Sequence, residues 1–377
     1  MFLAPSTFTM PNDHLALDDR RYMRRALDLA RRGWGQTAPN PMVGAVVVRD
    51  GRIVGEGYHV RYGADHAEIA ALRQAGEQAR GATLYVTLEP CGHHGKTPPC
   101  ADAIVAAGVA RVVAASEDPN PEAAGGATRL HDAGVTFDIG VERQTAREQN
   151  AAFFHRFASD RPWITLKLAT SLDGAIANAA GTRGTAGNWL TGEEARREVH
   201  HMRAGVDAIA VGVGTVLTDD PQLTVRDAPA PRVAPRRVIF DSELRTPVGA
   251  AVVQSARLVP TIIIVRRADR VRREAFTAVG VDVRVHETLQ GALIALAKDG
   301  VHSLLVEGGA RLAGSLIEQS MVDRLIIFQA PVVLGEGALN AFAHVSTATA
   351  ESLARLPVIE RVSFGDDLKT TYAFGAQ

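Results

Sequence analysis

The chain has 377 residues, 46% hydrophobic and 22% charged, and its 41 Lys and Arg against 42 Asp and Glu leave a formal charge of −1. That length suits two cores better than one, because single cores stop growing before it. The balanced charge excludes DNA or RNA as the main partner, since such binding leans on phosphate neutralisation, but leaves room for a small phosphorylated ligand in a local basic pocket. No apolar run approaches the ~18 residues needed to span a bilayer, so no membrane partner is expected, and Leu258 to Val265 reads as a buried strand at most. Residues 1–17 hold no Lys or Arg; they lack the basic start of a signal peptide and the arginines of a transit peptide, and are expected to form a mobile tail. The two cysteines, Cys91 and Cys100, cannot build a disulfide framework and fit a reducing cytoplasm.

In chain order, Asp18 to Arg32 predicts an amphipathic helix with Tyr22, Ala26, Leu29 and Ala30 on one face. Two apolar runs, Met42–Val48 and Ile53–Tyr58, follow, joined through Asp50-Gly51 as a tight hairpin. Helices and strands then alternate: helix Ala67–Ala75, strand Ala82–Leu88, helix Ala101–Ala107, strand Arg111–Ser116, a helix near Ala127–His131 and strand Val135–Ile139. That alternation predicts an α/β domain over residues 18–145. A helical stretch from Glu142 to Phe157 runs into Asp160-Arg161-Pro162, so residues 146–162 read as a linker region and 163–377 as a second α/β domain. There, strand Trp163–Ala169 precedes a helix opening at Thr191, where Thr191 and Glu194 form a capping box. Further strands are expected at Ala208–Val213, Arg237–Asp241, Thr261–Arg266, Ser303–Glu307 and Leu325–Phe328. No internal repeat relates the halves, which points to two different jobs.

Three segments of the first half carry metal chemistry: His66-Ala67-Glu68 opening a helix, Pro90-Cys91 after a strand, and Cys100 at the next helix. Zinc takes thiolate and imidazole ligands, and a catalytic zinc keeps its fourth position for water. His66, Cys91 and Cys100 supply three ligands, and a bound zinc brings the pKa of its water towards neutrality. Glu68 is not needed as a ligand and is the candidate proton shuttle of a zinc deaminase. The alternatives are a small buried cysteine with a capping histidine, or a purely structural zinc with His93 or His94 as fourth ligand. Deaminases commonly space their cysteines C-x-x-C, whereas eight residues intervene here.

The stretch Glu89-Pro90-Cys91-Gly92-His93-His94-Gly95-Lys96-Thr97-Pro98-Pro99-Cys100 resembles the bifunctional riboflavin-biosynthesis deaminase/reductase family, in which the long cysteine gap is normal. Pro39 to Gly44, Gly55 to His59, Asp118 to Pro121 and, in the second half, Lys167 to Gly174 are also similar to it. The resemblance implies a cytidine-deaminase-like α/β/α domain followed by a dihydrofolate-reductase-like α/β domain. It further implies zinc-dependent hydrolytic deamination of a phosphoribosylated diaminopyrimidine, then NADPH-dependent reduction of the ribosyl group to ribityl. Gly92 to Thr97 offers backbone N–H groups, two imidazoles and Lys96 to a substrate phosphate, and by resemblance Asn40 reads the pyrimidine edge.

In the second half, Val306 to Ser315 reads as strand, glycine turn and helix, which suits a nucleotide pyrophosphate but is also plain structural punctuation. Gly212-Val213-Gly214 lacks the third glycine of a dinucleotide fingerprint. The resemblance implies that Ala169, Trp189, Thr215, Asp219, Ser242 and Gly309, Ala310, Arg311, Leu312, Ala313, Gly314 and Ser315 form the NADP site. It assigns Arg203, Leu223, Arg226 and Glu307 to substrate, the two arginines to its phosphate. Gly187 stands where the family has serine, so that contact stays unassigned, and Lys167 and Asp173 are candidates without a role. Family members self-associate through the reductase half, so a homo-oligomer is expected. Two rival readings stay open: another nucleotide deaminase fused to an unrelated NADP-binding domain, and a zinc-stabilised scaffold without activity.

Overall fold

The computed structural model describes residues 13–93, 99–123, 125–178, 189–353 and 355–374, and the chain divides into two compact units, Met1–Phe157 and Ala158–Gln377. The first runs α1 (Asp13–Ala30), β1 (Gly44–Arg49), β2 (Arg52–Tyr58), α2 (Ala67–Ala75), β3 (Thr83–Val86), α3 (Cys100–Ala106), β4 (Arg111–Ala114), α4 (Gly126–Asp132), β5 (Thr136–Ile139), α5 (Arg143–Gln149) and α6 (Ala151–His155). Its sheet has the order β2-β1-β3-β4-β5. β1 is antiparallel to β2 and β3, while β3, β4 and β5 are parallel. Asp50 and Gly51 both take positive φ in the β1–β2 turn, the backbone a tight hairpin of matching twist requires.

Strand side chains alternate faces, and the core follows that period. Val47, Leu84, Val86, Val112 and Ala114 pack under α2, α3 and α4 through Ala71, Ile104 and Leu130. Val46, Val48, Tyr85 and Val113 pack on α1 and α5 through Met23, Ala26, Leu27 and Ala146. The result is the expected α/β/α sandwich. Helix α1 begins five residues before the start that the sequence pattern predicts. Most of the stretch read as linker is helical and belongs to the first unit: Asn150 accepts from the Met42 N–H (2.8 Å) and donates to the Met42 carbonyl (2.9 Å). A long-range side-chain bond of that kind leaves no mark on local periodicity.

The second unit runs β6 (Trp163–Thr170), β7 (Ala175–Ala177), α7 (Glu193–Ala204), β8 (Ala208–Gly212), α8 (Val213–Asp219), β9 (Arg236–Phe240), α9 (Ala251–Gln254), β10 (Thr261–Val265), α10 (Arg270–Ala278), β11 (Asp282–Val285) and α11 (Leu289–Lys298), then β12 (Ser303–Glu307), α12 (Ala310–Glu318), β13 (Arg324–Gln329), β14 (Leu339–Asn340), α13 (Thr347–Ser352), β15 (Val358–Phe364) and β16 (Asp367–Ala373). Nine of these strands form one sheet, β11-β10-β9-β8-β12-β6-β13-β16-β15. It is parallel from β11 to β13, with β16 and β15 added antiparallel. Ile164, Leu166, Leu304 and Val306 face α11 and α12, and Ile209, Ile239 and Ile263 face α9 and α10. Strand β15 escapes the sequence pattern because it lies at the sheet edge with most residues exposed. The expected capping box is absent. Gly192 caps α7 without a side-chain bond, and its N–H donates to the remote Asp367 carboxylate at 2.7 Å, which replaces the half of the box assigned to Glu194.

Candidate active sites

In the first unit, helices α2 and α3 both begin at one end of the sheet, and their starts carry the metal-type residues. His66 is the N-cap of α2 but makes no side-chain cap bond, so its ring is turned to another task. Nδ1 lies 3.2 Å from Cys100 Sγ and 3.8 Å from Cys91 Sγ. The Cys91 carbonyl accepts the Ala101 N–H (3.3 Å), and the next residue, Gly92, donates its N–H to the Ala123 carbonyl (3.1 Å), while the Cys100 N–H at the start of α3 donates to Cys91 Sγ at 3.3 Å. One nitrogen and two sulfurs therefore lie within 4.8 Å of one another. Tetrahedral zinc with ordinary bond lengths sets sulfur and nitrogen about 3.6 Å apart, so the donor set fits that metal in spacing and chemistry. The hydrogen bond with Cys100 pulls the Cys91 thiol down to about 4, and the same bond, with burial, pushes Cys100 up. Its bond to Cys91 raises His66 to about 9, against the opposing effect of burial.

Glu68, the second residue of α2, is 4% exposed, and burial pushes its carboxyl up. It borders a cavity of about 450 Å³ that Asn40, His59, His66, Cys91, Asp118 and Asn120 also line. His59 Nδ1 lies 3.0 Å from the Asp65 carbonyl and Nε2 3.4 Å from Asn40 Nδ2. A ring that donates to the carbonyl accepts from the amide, so the Asn40 NH2 is turned to His59 and its Oδ1 is the branch not used in that contact; Asn40 itself lines the cavity. Sequence reasoning gives no role to His59, Asp118 or Asn120. They sit inside the segments Gly55 to His59 and Asp118 to Pro121, but only the cavity gives them a common neighbour. Lys96 lies outside the described residues, as do His94, Gly95, Thr97 and Pro98.

In the second unit a cavity of about 500 Å³ opens at the carboxyl ends of β6, β8 and β12, where open α/β sheets bind ligands. Ala169, Trp189, Thr215, Asp219, Arg203, Leu223, Arg226 and Glu307 line it, with Lys167 and His200. Ser242 and residues 309–315 are not in its wall. Ser242 follows β9, and its carbonyl accepts from the Arg266 N–H at 3.0 Å. Leu312 and Ala313 are buried in the core, and a Cβ on Gly314 would come 1.7 Å from the Ala343 carbonyl oxygen, so these three meet no ligand through their side chains. What remains of the glycine turn is its backbone: Gly308 and Gly309 both have positive φ (73° and 89°) and deliver the chain to the start of the nine-residue α12. Thr215 Oγ1, 3.5 Å from where a Cβ on Gly309 would lie, is buried without a hydrogen-bond partner. An orphaned hydroxyl beside a helix N-terminus fits a phosphate-bearing cofactor.

The substrate-side residues are arranged otherwise than expected. Arg203 turns its fork to Glu307, Nε to Oε1 at 2.5 Å and Nη2 to Oε2 at 2.7 Å, and commits Nη1 to the Thr224 carbonyl. Burial pushes Glu307 up, but the Arg203 charge and hydrogen bonds, with Lys167 and His200 nearby, hold its carboxyl below the usual range. Leu223 is 3% exposed, with its side chain in the core. Arg226 is exposed, its Nη1 held by Gln222 Oε1 (3.0 Å) and Thr224 Oγ1 (2.9 Å).

The fold and the His-Glu-Cys-Cys cluster of the first unit define a zinc-type deaminase, and the second unit is an α/β reductase-type domain. The sequence matches the family model described as the cytidine and deoxycytidylate deaminase zinc-binding region over residues 17–116, and the RibD C-terminal domain over residues 162–363. It is 45% identical over 322 residues to the riboflavin biosynthesis protein RibD of Aquifex aeolicus, covering 85% of this chain and 88% of that one. With RibD of Escherichia coli it is 42% identical over 370 residues, 94% and 95% of the two chains. Among solved structures, Acinetobacter baumannii RibD superposes with a TM-score of 0.82 at 36% identity, covering 96% of this chain and 100% of that one. A Thermotoga maritima diaminohydroxyphosphoribosylaminopyrimidine deaminase/5-amino-6-(5-phosphoribosylamino)uracil reductase does so with a TM-score of 0.82 at 32% identity and the same coverage. The chain belongs to the RibD family of riboflavin-biosynthesis proteins and is a bifunctional deaminase and reductase. Among the described residues no helix is long and apolar enough to cross a membrane.

Proposed function

We propose that the first unit hydrolyses an amino group from 2,5-diamino-6-(5-phosphoribosylamino)pyrimidin-4-one and that the second reduces the ribosyl group of the resulting aminouracil to ribityl with NADPH. The close grouping of the His66, Cys91 and Cys100 donor atoms, with His66, Cys91 and buried Glu68 lining one cavity, carries the first half. A zinc ion held by the three ligands supplies the Lewis acidity that makes water a nucleophile near neutral pH. Glu68, free of ligand duty, takes a proton from the attacking water and passes it to the ring nitrogen and the departing amine, so that water and amine become carbonyl and ammonia. Asn40 presents its carbonyl oxygen, fixed by His59, to an N–H of the pyrimidine edge. Lys96 is assigned to the substrate phosphate.

In the second unit, NADPH supplies the hydride, and the protein binds and orients. Thr215, Asp219, Ala169 and Trp189 are assigned to the cofactor, with the backbone of the turn through Gly309 and Ala310 and with Arg311, Ser315 and Ser242. Leu312, Ala313 and Gly314 contribute through backbone alone. Arg226 is assigned to the substrate phosphate, and Arg203, paired with Glu307, orients that carboxylate at the cavity wall. Neither cysteine is tied up in a disulfide, so both can ligate as thiolates, which suits a reducing cytoplasm. Self-association through the second unit belongs to the same proposal.

The test compares wild type with Glu68→Ala, supplying the phosphoribosylated diaminopyrimidine and following NADPH oxidation. Wild type consumes NADPH, whereas the variant retains its metal and consumes NADPH only when given the deaminated aminouracil. Ammonia release by wild type without NADPH oxidation on either compound would refute the reductase assignment. Metal loss in the variant would refute the role given to Glu68.

A further inference from the structure

The wall of the second cavity between Asp220 and Asp227 has an unusual backbone. Asp220, Leu223 and Asp227 take positive φ (39°, 50° and 52°) without being glycine. Such conformations persist only where the surroundings over-determine them. Three side chains provide that constraint. Arg203 Nη1 donates to the Thr224 carbonyl at 2.9 Å, His200 Nδ1 accepts the Arg226 N–H at 3.0 Å, and Arg237 Nη1 donates to the Gln222 carbonyl at 3.1 Å. The first two line the cavity, and the third does not.

Arg237 sits on β9 and is 0% exposed, among the largest fully buried side chains of the protein. Besides the Gln222 carbonyl, its guanidinium donates to Ser255 Oγ (2.8 Å), the Val259 carbonyl (2.8 Å) and Thr261 Oγ1 (2.9 Å). Every one of these partners is neutral, and burial pulls the guanidinium down to about 10. A buried cation without a counter-charge is costly, and a hydrocarbon of similar volume would fill the space at less cost. Packing therefore does not explain the residue. A hydrocarbon cannot, however, tie Gln222 to the end of α9 and the start of β10. Gln222 is the joint of the segment: Arg237 holds its carbonyl, its own Oε1 accepts from Arg226 Nη1 at 3.0 Å, and the left-handed Leu223 follows.

We propose that Arg237 is a positioning residue of the reductase: by holding the Gln222 carbonyl it sets segment 222–226 so that Arg226 faces the substrate. This rests on the reading of the second cavity as the phosphoribosyl-substrate site. Arg237 lines no part of that cavity. Its loss lets the segment relax, weakening ground state and transition state alike, so KM for the substrate rises while kcat holds.

The experiment measures kcat and KM for the deaminated aminouracil at saturating NADPH in wild type, Arg237→Met, Arg237→Lys, Arg226→Ala and the Arg237→Met/Arg226→Ala double variant. Ammonia release by the first unit of the same preparations serves as internal control. Arg237→Met is expected to raise KM about tenfold or more with kcat within about twofold and with deamination unchanged. Arg237→Lys, which keeps a donor, recovers part of the loss. In the Arg226→Ala background Arg237→Met adds less than about twofold, because both changes act through one contact. An unchanged KM in Arg237→Met, or an equal rise on top of Arg226→Ala, overturns the proposal. So does a fall in kcat and thermal stability without a KM change, the mark of a merely structural residue. Should Arg237→Met fail to fold, Arg237→Lys decides: raised KM supports the proposal and wild-type KM overturns it. A wild-type enzyme that oxidises no NADPH with this substrate overturns the site reading itself, a result no Arg237 variant can produce.

Discussion

Gly126→Ala tests whether the metal cluster depends on backbone packing that no ligand contributes. Gly126 begins α4 and is buried, and a Cβ there would lie 1.7 Å from the Pro90 carbonyl oxygen. Contacts below 3.0 Å do not occur in practice, so the two backbones must part by about 1.3 Å or more, several times the ~0.2 Å tolerance of a metal–ligand distance. Pro90 carries the movement directly into Cys91. Overpacking of this kind costs about 1–3 kcal/mol, a few degrees of melting temperature for a unit of this size. Displaced supporting groups cost about 10–100-fold in metal affinity or activity. The expected result is zinc below one per chain by elemental analysis and deamination reduced by about that factor, with reduction of the deaminated aminouracil left near wild type. A variant with full zinc content and wild-type ammonia release would refute the reasoning, because α4 would then have moved without disturbing Cys91.

Two further outcomes follow from the second cavity. Burial, with the Arg203 and Arg226 charges, holds His200 below the ordinary imidazole value, and Glu307 and Asp227 oppose this more weakly; the folded segment therefore prefers neutral His200. Its contribution is present above the unfolded pKa of about 6.5 and is lost as pH falls towards the lower folded value. Reductase KM should accordingly rise on the acid side, and His200→Asn, which accepts the Arg226 N–H without titrating, should flatten that limb; an identical limb in the variant counts against this role. Arg203→Met strands the Glu307 carboxylate, which is 11% exposed, and breaking a buried pair in this way costs about 3–5 kcal/mol. Thermal unfolding of the second unit should show the loss, and a shift of less than about 1 kcal/mol would mean that water reaches Glu307.

The chemistry of the first unit is legible in the sequence because it rests on residue types that few other arrangements explain. His66, Cys91 and Cys100 read as a metal donor set and Glu68 as a proton carrier, and the helices and strands around them follow hydrophobic periods of 3.6 and 2. The alternation of Val46 and Val48 against Val47 assigns the two faces of β1 from local order alone. Tertiary structure alone decided what depends on distant partners. His59 turns Asn40 across 19 residues, Asn150 ties α5 and α6 to the first unit across 108, and Asp367 replaces a local cap across 175. The family resemblance assigns Arg203 to the substrate phosphate, whereas the fold sets Glu307, 104 residues away, in its fork. Arg237 reads as the first residue of a strand, with nothing local to mark where its guanidinium goes. Local pattern records which face of an element is buried, because burial repeats with the element's own period. A hydrogen bond between remote segments has no period, and only the folded chain shows where such a bond ends.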